Sequence, residues 1–296
     1  MIRLKTLGLA ALLAAAALPA LAASGHDTKT PERQSWSFAG PFGTFDRAQL
    51  QRGFRVFREV CSNCHSAKLI SFRNLAQPGG PEFSEAQVKA LAAEYKVQDG
   101  PGEDGKMFER PGRPADRFPS NYANPEAAKA VLGAVPPDMS VLAKARSYSR
   151  GFPLFLVDPF IQYQEHGVDY IYSLIALGYS DEKDPNHNDF MPGGRIAMAN
   201  PLSDGQVEYT DGTPETAKQY AKDVASYLMW MAEPKLEERK KTGFKVMAFL
   251  ILFAGLLYFT KKRIWGDAYL AFNCVMLAVF LFGTFNAVLL IDRKST

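Results

Sequence analysis

The chain has 296 residues, of which 47% are hydrophobic and 22% charged, and its formal net charge is +3 at pH 7. The basic excess lies near the end of the chain, because residues 24–234 contain 22 Lys and Arg against 27 Asp and Glu. The resulting negative charge argues against nucleic acid as a partner of this part. It favours a basic soluble partner through electrostatic steering, although a merely solvated surface explains the same count equally well.

The chain starts with the pattern of a secretory signal peptide in residues 1–23. Arg3 and Lys5 precede an apolar stretch over 7–18, and Pro19 is followed by small residues up to Ala22 and Ala23, where we expect cleavage. The alternative, a transmembrane helix, is disfavoured because a span needs about 20 apolar residues. The mature chain is therefore predicted to begin outside the cytoplasm.

Residues 24–234 are predicted to form one mainly α domain with long connections rich in Gly and Pro. The predicted helices run from Asp46 to 60, from Ser84 to 95, from Asp138 to 147, over 167–177 and from Thr213 through Trp230. Strand signals are weak, and the connection over 97–121 is too irregular to assign.

The segment Cys61-Ser62-Asn63-Cys64-His65 is typical of c-type haem attachment. Two thiols at this spacing can each form a thioether bond to a vinyl group of the porphyrin, and the next residue can bind the iron. A thioredoxin-like pair would follow a buried strand, whereas these cysteines follow a predicted helix. A zinc site would need a second pair of ligands, and the only other cysteine is Cys274. We therefore predict one covalently attached haem c, with His65 as an iron ligand.

A haem that only transfers electrons needs a second axial ligand, for which Met and His are the usual side chains. His166 and His187 are lone histidines, which more often have structural roles. Met191 and Met198 lie in a segment over 190–201 with two prolines and two glycines, as expected of a loop that folds over a cofactor edge. The pattern leaves both methionines open and favours Met198 only slightly.

Two apolar runs follow the predicted domain. In residues 243–263, fifteen uncharged residues lie between Lys245 and Lys261, which is near the lower limit for a transmembrane helix, and the basic flank 261–263 marks the cytoplasmic side. Residues 268–291 are uncharged throughout and predict a second transmembrane helix, with a position in the membrane plane as the alternative.

Several segments beyond the haem motif resemble the cytochrome c1 family, the haem subunits of the cytochrome bc1 complex. The resemblance covers most of residues 36–263. It is carried by WSFAGPFGTFD at 36–46, LQRG at 50–53, EVC at 59–61, CHS at 64–66, NPEAA at 124–128, PPDMS at 136–140, DYIYSL at 169–174, DGTP at 211–214 and AKDV at 221–224.

The resemblance implies roles for individual residues. The family's distal methionine lies in a Pro-Gly-x-x-Ile-x-Met segment, which here ends at Met198, so His65 and Met198 are the implied iron ligands. Arg146 falls where the family has a haem-propionate arginine, with an ordinary exposed arginine as the alternative. Tyr170 matches a haem-contacting tyrosine, and Pro137 a proline near the proximal side. The apolar run 268–291 has no counterpart in the usual family pattern, which ends soon after one membrane helix. Some bacterial relatives have a disulfide near the distal loop, and this chain has no spare cysteine to form it.

The resemblance also implies a function. The chain would be the electron-transfer subunit of quinol–cytochrome c reductase, accepting electrons from a Rieske iron–sulfur protein and passing them to a cytochrome c. Cytochrome b, membrane lipid and a dimeric complex are the implied surroundings, in a bacterial inner membrane with the haem domain on the periplasmic side. No independent catalytic residue is expected. The alternatives are a membrane-anchored monohaem cytochrome that serves a terminal oxidase or another acceptor, and a thiol oxidoreductase without haem.

Overall fold

The computed structural model describes residues 28–148, 153, 165–265, 276–277 and 279–282. The predicted signal peptide, residues 1–23, lies outside the described residues, as does most of the predicted second span over 268–291. The chain divides into two compact units, Met1–Glu237 and Glu238–Thr296, and the predicted site residues lie in the first.

The described part of the chain is mainly helical, which confirms the predicted fold class. Its helices are α1 (Arg47–Glu59), α2 (Glu85–Ala93), α3 (Pro125–Leu132), α4 (Leu142–Ala145), α5 (His166–Ala176), α6 (Ala217–Ala232) and α7 (Leu236–Trp265). Strands β1 (Lys96–Asp99) and β2 (Phe108–Pro111) form an antiparallel hairpin inside the connection that the sequence left unassigned. Ser84 and Gln87 form the predicted capping box of α2, and α5 lies within one residue of its predicted bounds.

Helices α1 and α6 pack closely at the centre of the core. Asp46 caps α1 as predicted, because its carboxylate accepts a hydrogen bond from an amide of the first turn. Leu50 and Phe57 of α1 are buried in the core cluster. At Gly53, an added Cβ would lie 2.1 Å from the main-chain oxygen of Asp223 on α6. Since α1 leads directly into the cysteine pair, this packing fixes where the haem motif begins.

Helix α6 starts later than predicted. The sequence predicted a start at Thr213, but the helix begins at Ala217 with the Thr216 side chain as its cap. The physical reason is that Glu215 is bound to the preceding loop, because its carboxylate accepts a hydrogen bond from the Tyr209 amide at 2.8 Å.

The helix predicted from Asp138 to 147 is wrong, because only the four residues of α4 are helical there. The Asp138 carboxylate accepts hydrogen bonds from the Ser140 amide, the Lys68 amide and the Ser66 hydroxyl, each at 2.8–2.9 Å. Two of these donors belong to a distant segment. Asp138 therefore ties two loops together instead of capping a helix.

Helix α7 is, within the described residues, the one helix long and apolar enough to cross a membrane, over Leu236–Ile264. The predicted anchor, residues 243–263, falls inside it. Large apolar side chains such as Leu252 and Phe259 are exposed along α7, as expected for side chains that face lipid. In the predicted second span, the described residues 276–277 and 279–282 are helical.

Candidate haem site

Cys61 begins a single 3₁₀ turn, Cys61–Asn63, that directly follows α1, and Cys64 caps the end of this turn. The amides of Cys64 and His65 both donate to the carbonyl oxygen of Cys61, at 3.2 and 2.9 Å. The side chains of Ser62 and Asn63 donate to main-chain carbonyls in the last turn of α1. One tight, internally bonded turn therefore carries both thiols and the imidazole.

The Cys61 thiol has properties opposite to those of a redox-active cysteine. Burial, followed by the neighbouring Cys64, raises the pKa of Cys61 to about 12. A thiol–disulfide oxidoreductase relies on a lowered pKa, because the thiolate is its nucleophile. The raised pKa of Cys61 therefore argues against thioredoxin-like chemistry at this pair.

The half-buried imidazole of His65 is oriented by Pro137. Its Nδ1 lies 2.9 Å from the Pro137 carbonyl oxygen. Because a carbonyl can only accept, Nδ1 carries the proton in this bond, and Nε2 keeps the lone pair that an iron ligand needs. Burial lowers the pKa of His65, opposed by the Pro137 carbonyl and Asp138, which favours the neutral ring.

Residues 65–69 and 137–140 form what we call the proximal clamp. Its hydrogen bonds run from the Met139 amide to the Ser66 carbonyl, from the Ser66 hydroxyl and the Lys68 amide to Asp138, and from the Leu69 amide to the Ser140 hydroxyl, all at 2.8–3.0 Å. Burial raises the pKa of Asp138, but hydrogen bonds to its carboxylate outweigh burial and the net shift is downward. The ionised Asp138 therefore holds in place the loop whose carbonyl orients His65.

Arg146 and Tyr170 lie close together because α4 and α5 pack tightly. At Gly167, an added Cβ would lie 1.7 Å from the Ala143 carbonyl oxygen and 2.6 Å from that of Arg146. Burial raises the pKa of Tyr170, and the charge of Arg146 acts in the opposite direction. The guanidinium is thus within electrostatic reach of the phenol, and since Arg146 is exposed, its charge is available to an anionic group such as a propionate.

The two candidate methionines, both half-buried, have different surroundings. The Tyr170 hydroxyl donates to the sulfur of Met191 over 3.8 Å. Met198 is held through its main chain, because the Tyr179 hydroxyl donates to the Met198 carbonyl oxygen at 2.9 Å. Tyr170 therefore contacts Met191, whereas the family resemblance implies Met198 as the iron ligand.

The predicted loop that carries these methionines is present and begins as a short hairpin. His187 and Arg195 form an antiparallel bridge, and Gly193 and Gly194 make the turn between them with φ angles of +85° and +72°. Glycine adopts such angles without a steric penalty. The glycines of the sequence pattern thus close the loop.

Asn188 and Tyr179 tie this hairpin to α5, and neither was singled out from the sequence. The buried Asn188 amide donates to the Leu174 carbonyl at 2.9 Å, which satisfies a main-chain group near the end of α5. Gly178 permits the close approach, because an added Cβ there would lie 2.4 Å from the Asn188 side chain. Asparagine in a loop signals a turn, but the sequence does not show which distant carbonyl it will bind.

Comparison with known proteins gives one consistent result. A model of the Cytochrome C1 family matches residues 36–268. The protein named "Cytochrome b/c1" from Bradyrhizobium diazoefficiens is 54% identical over 275 residues, which cover 88% of this chain and 39% of that relative. "Cytochrome c1" from Blastochloris viridis is 50% identical over 262 residues, covering 86% of this chain and 92% of the relative. "Cytochrome c1-2, heme protein, mitochondrial" from Solanum tuberosum is 40% identical over 252 residues, covering 83% and 88%.

The residues present suit the cofactor of this family, one covalently attached haem c. Two free thiols in one turn can take the vinyl groups, and His65 keeps Nε2 available for iron because Nδ1 is engaged by Pro137. The match to the family model covers most of the chain, and the Blastochloris relative, of nearly the same length, is 50% identical over 262 residues. The chain therefore belongs to the cytochrome c1 family, whose members are haem subunits of the cytochrome bc1 complex.

Proposed function

We propose that this chain is the electron-transfer subunit of a quinol:cytochrome c oxidoreductase, in which its haem takes an electron from a Rieske iron–sulfur protein and gives it to a cytochrome c. The observation that carries this proposal is the His65 imidazole, fixed by the Pro137 carbonyl beside two free thiols, in a chain of the cytochrome c1 family. The bound haem supplies reversible electron transfer. The chain supplies attachment, orientation and access.

Each predicted site residue has a proposed part in this function. Cys61 and Cys64 attach the cofactor, and His65 and Met198 bind its iron. Met198 is supported by the Pro-Gly-x-x-Ile-x-Met pattern over 192–198, which ends at this residue, and a thioether ligand raises the reduction potential. Met191 is the competing ligand.

Three further residues are proposed to act on the rim and the proximal side of the haem. The exposed cation of Arg146 would pair with a propionate and hold the ring's orientation. Tyr170 would contact the haem while its hydroxyl reaches Met191. Pro137 orients the proximal imidazole.

The proposed partners follow from the relatives and from the anchor. The Bradyrhizobium relative is named for both cytochrome b and cytochrome c1, which supports pairing of this chain with a cytochrome b. We propose that this cytochrome b carries the quinone sites and that the complex is dimeric. Helix α7 would anchor the chain in lipid. The predicted signal peptide and the basic flank 261–263 favour the periplasmic side of a bacterial inner membrane for the haem domain.

Purification from native membranes tests this proposal. We expect the chain to keep a red haem after acid–acetone extraction and to co-purify with a b-type cytochrome and a Rieske protein. A purified chain that contains no haem would instead support a thiol oxidoreductase. Co-purification with a terminal oxidase, without the other two subunits, would support the alternative monohaem cytochrome.

A further inference from the structure

We propose that Tyr179 and Asn186 are positioning residues for the distal iron ligand: together they fix the main chain at Met198 and two residues before it, and thereby aim the methionine sulfur at the haem. This inference rests on the proposed role of Met198. We call the two residues and their hydrogen bonds the distal clasp.

Asn186 fixes the chain just before Met198. The amide of Ile196 donates to the Asn186 carbonyl at 2.8 Å, and the Asn186 side-chain amide donates to the Ile196 carbonyl at 2.8 Å. A single residue therefore satisfies both main-chain polar groups of Ile196. These two hydrogen bonds restrict rotation of the Ile196 main chain relative to Asn186.

Tyr179 fixes the chain at Met198 itself. Its hydroxyl donates to the Met198 carbonyl at 2.9 Å and lies 3.5 Å from the carbonyl oxygen of Ala199. Residues 197–200 have neither helical nor strand structure, so side-chain bonds such as these limit their conformations. Burial raises the pKa of Tyr179 to about 12, so the hydroxyl stays a donor over the physiological pH range.

The distal clasp is fastened to α5. Tyr179 follows the end of α5 by three residues, and the Asp189 amide donates to the Gly178 carbonyl at 3.0 Å. Lys29 ties the same loop to the N-terminal segment, since its ammonium lies 2.6 Å from the Asp189 carboxylate. The methionine loop is thus tied to the helix that also carries Tyr170. The ties are hydrogen bonds and an ion pair, in a chain whose cysteines outside the membrane runs are those of the haem motif.

The test uses the full chain in its membrane complex, with Tyr179→Phe, Asn186→Ala and the double variant. Tyr172→Phe, on α5, is the matched control. The readouts are the methionine–iron charge-transfer band, the midpoint potential and carbon monoxide binding by the reduced haem, with a haem-stained gel to confirm covalent attachment.

We expect Tyr179→Phe and Asn186→Ala each to raise the fraction of haem that binds carbon monoxide by roughly two- to tenfold, the equilibrium effect of one hydrogen bond of ordinary net strength. The charge-transfer band should weaken and the potential should fall, most strongly in the double variant. Tyr172→Phe should match the wild type in all three readouts.

Other results separate the two claims. If Met198→Leu abolishes the band while both single variants and the double variant match the control, the clasp inference is wrong and the ligand assignment stands. If Met191→Leu abolishes the band and Met198→Leu does not, the ligand assignment fails and the clasp inference fails with it. If Tyr170→Phe increases carbon monoxide binding by the reduced haem and Tyr179→Phe does not, the clasp inference is also wrong.

Discussion

At the scale of single residues, the partner of His65 is a main-chain carbonyl and not a carboxylate. A carboxylate bonded to Nδ1 would make the imidazole a more basic ligand and add negative charge beside the iron, which would favour the oxidised haem. The Pro137 carbonyl orients the ring while adding no formal charge. The proximal side is thus built to keep the potential high, as is a methionine on the distal side.

Asp138 should be needed for the proximal clamp. We expect Asp138→Ala to lower the free energy of unfolding by about 2–3 kcal/mol, because donors from two segments lose an ionised acceptor. The measurement is a denaturant titration followed by the helical circular-dichroism signal.

Asp181→Ala is the control for this change. The Asp181 carboxylate accepts a single amide hydrogen bond, from Lys183, in an exposed loop. An equal effect of the two substitutions would contradict the clamp.

The distal ligand can be assigned by substitution. Met198→Leu should abolish the methionine–iron charge-transfer band, lower the midpoint potential and open the reduced iron to carbon monoxide, because leucine has no donor atom for iron. Met191→Leu removes a sulfur that accepts a hydrogen bond from Tyr170 and should leave the band in place. The reverse pattern would identify Met191 as the distal iron ligand.

The residue types at this site could be predicted from the sequence, but their hydrogen-bond partners could not. The spacing of Cys61, Cys64 and His65 directly predicts haem attachment. The His65–Pro137 bond joins residues 72 positions apart. Asn186 and Tyr179 had no sequence signal beyond a turn residue and an aromatic, because their roles depend on how a glycine-closed loop folds against α5.

At the scale of elements, the crossing of α1 and α6 supports the haem motif. The buried carboxylate of Asp223 on α6 accepts hydrogen bonds from Arg52 of α1 and from Tyr209, each at 3.0 Å. Close approach of the helices at Gly53 brings these groups together. A charge buried in this way is tolerated because it is paired and hydrogen-bonded.

Gly53→Ala should separate these helices. An added methyl would meet the Asp223 carbonyl at 2.1 Å, so we expect a loss of about 1–3 kcal/mol of unfolding free energy, typical of overpacking. Covalent haem incorporation, scored on a stained gel, should also fall because α1 leads into the cysteine pair.

Gly243→Ala on α7 is the matched control, since an added Cβ there has nothing within 4 Å. Equal stability and equal haem incorporation in the two variants would show that the crossing tolerates a larger separation.

Element boundaries were predictable where one signal acted alone. Helices α1 and α2 begin directly after Asp46 and Ser84, the caps that the sequence predicted. Two predictions failed where a polar side chain had competing partners. Asp138 binds a distant loop, and Glu215 binds the loop before α6. Tertiary contacts decided these cases, and local sequence does not record them.

At the scale of the whole molecule, charge is distributed unevenly along the chain. Residues 24–234 carry an excess of acidic side chains, while the chain as a whole is basic. The basic residues cluster around the predicted anchor, where they can meet lipid headgroups. The acidic excess falls on the part that would meet a soluble electron acceptor.

Electron transfer to a basic cytochrome c should therefore depend on salt. We expect the bimolecular rate to fall by roughly tenfold or more from low to high ionic strength, because steering between opposite charges is screened. The rate of oxidation by a small neutral acceptor is the control and should hardly change. A reaction rate with cytochrome c that does not depend on salt would show that the acidic side chains of residues 24–234 do not steer this partner.

The proposed electron relay runs from a Rieske protein to a cytochrome c. Its most direct test is rapid spectroscopy of the haem c in the intact membrane complex after addition of quinol, with and without the Rieske subunit. We expect fast reduction of the haem only when the Rieske subunit is present, followed by reoxidation on addition of oxidised cytochrome c. Reduction at the same rate without the Rieske subunit, or a reduced haem that cytochrome c cannot oxidise, would contradict it.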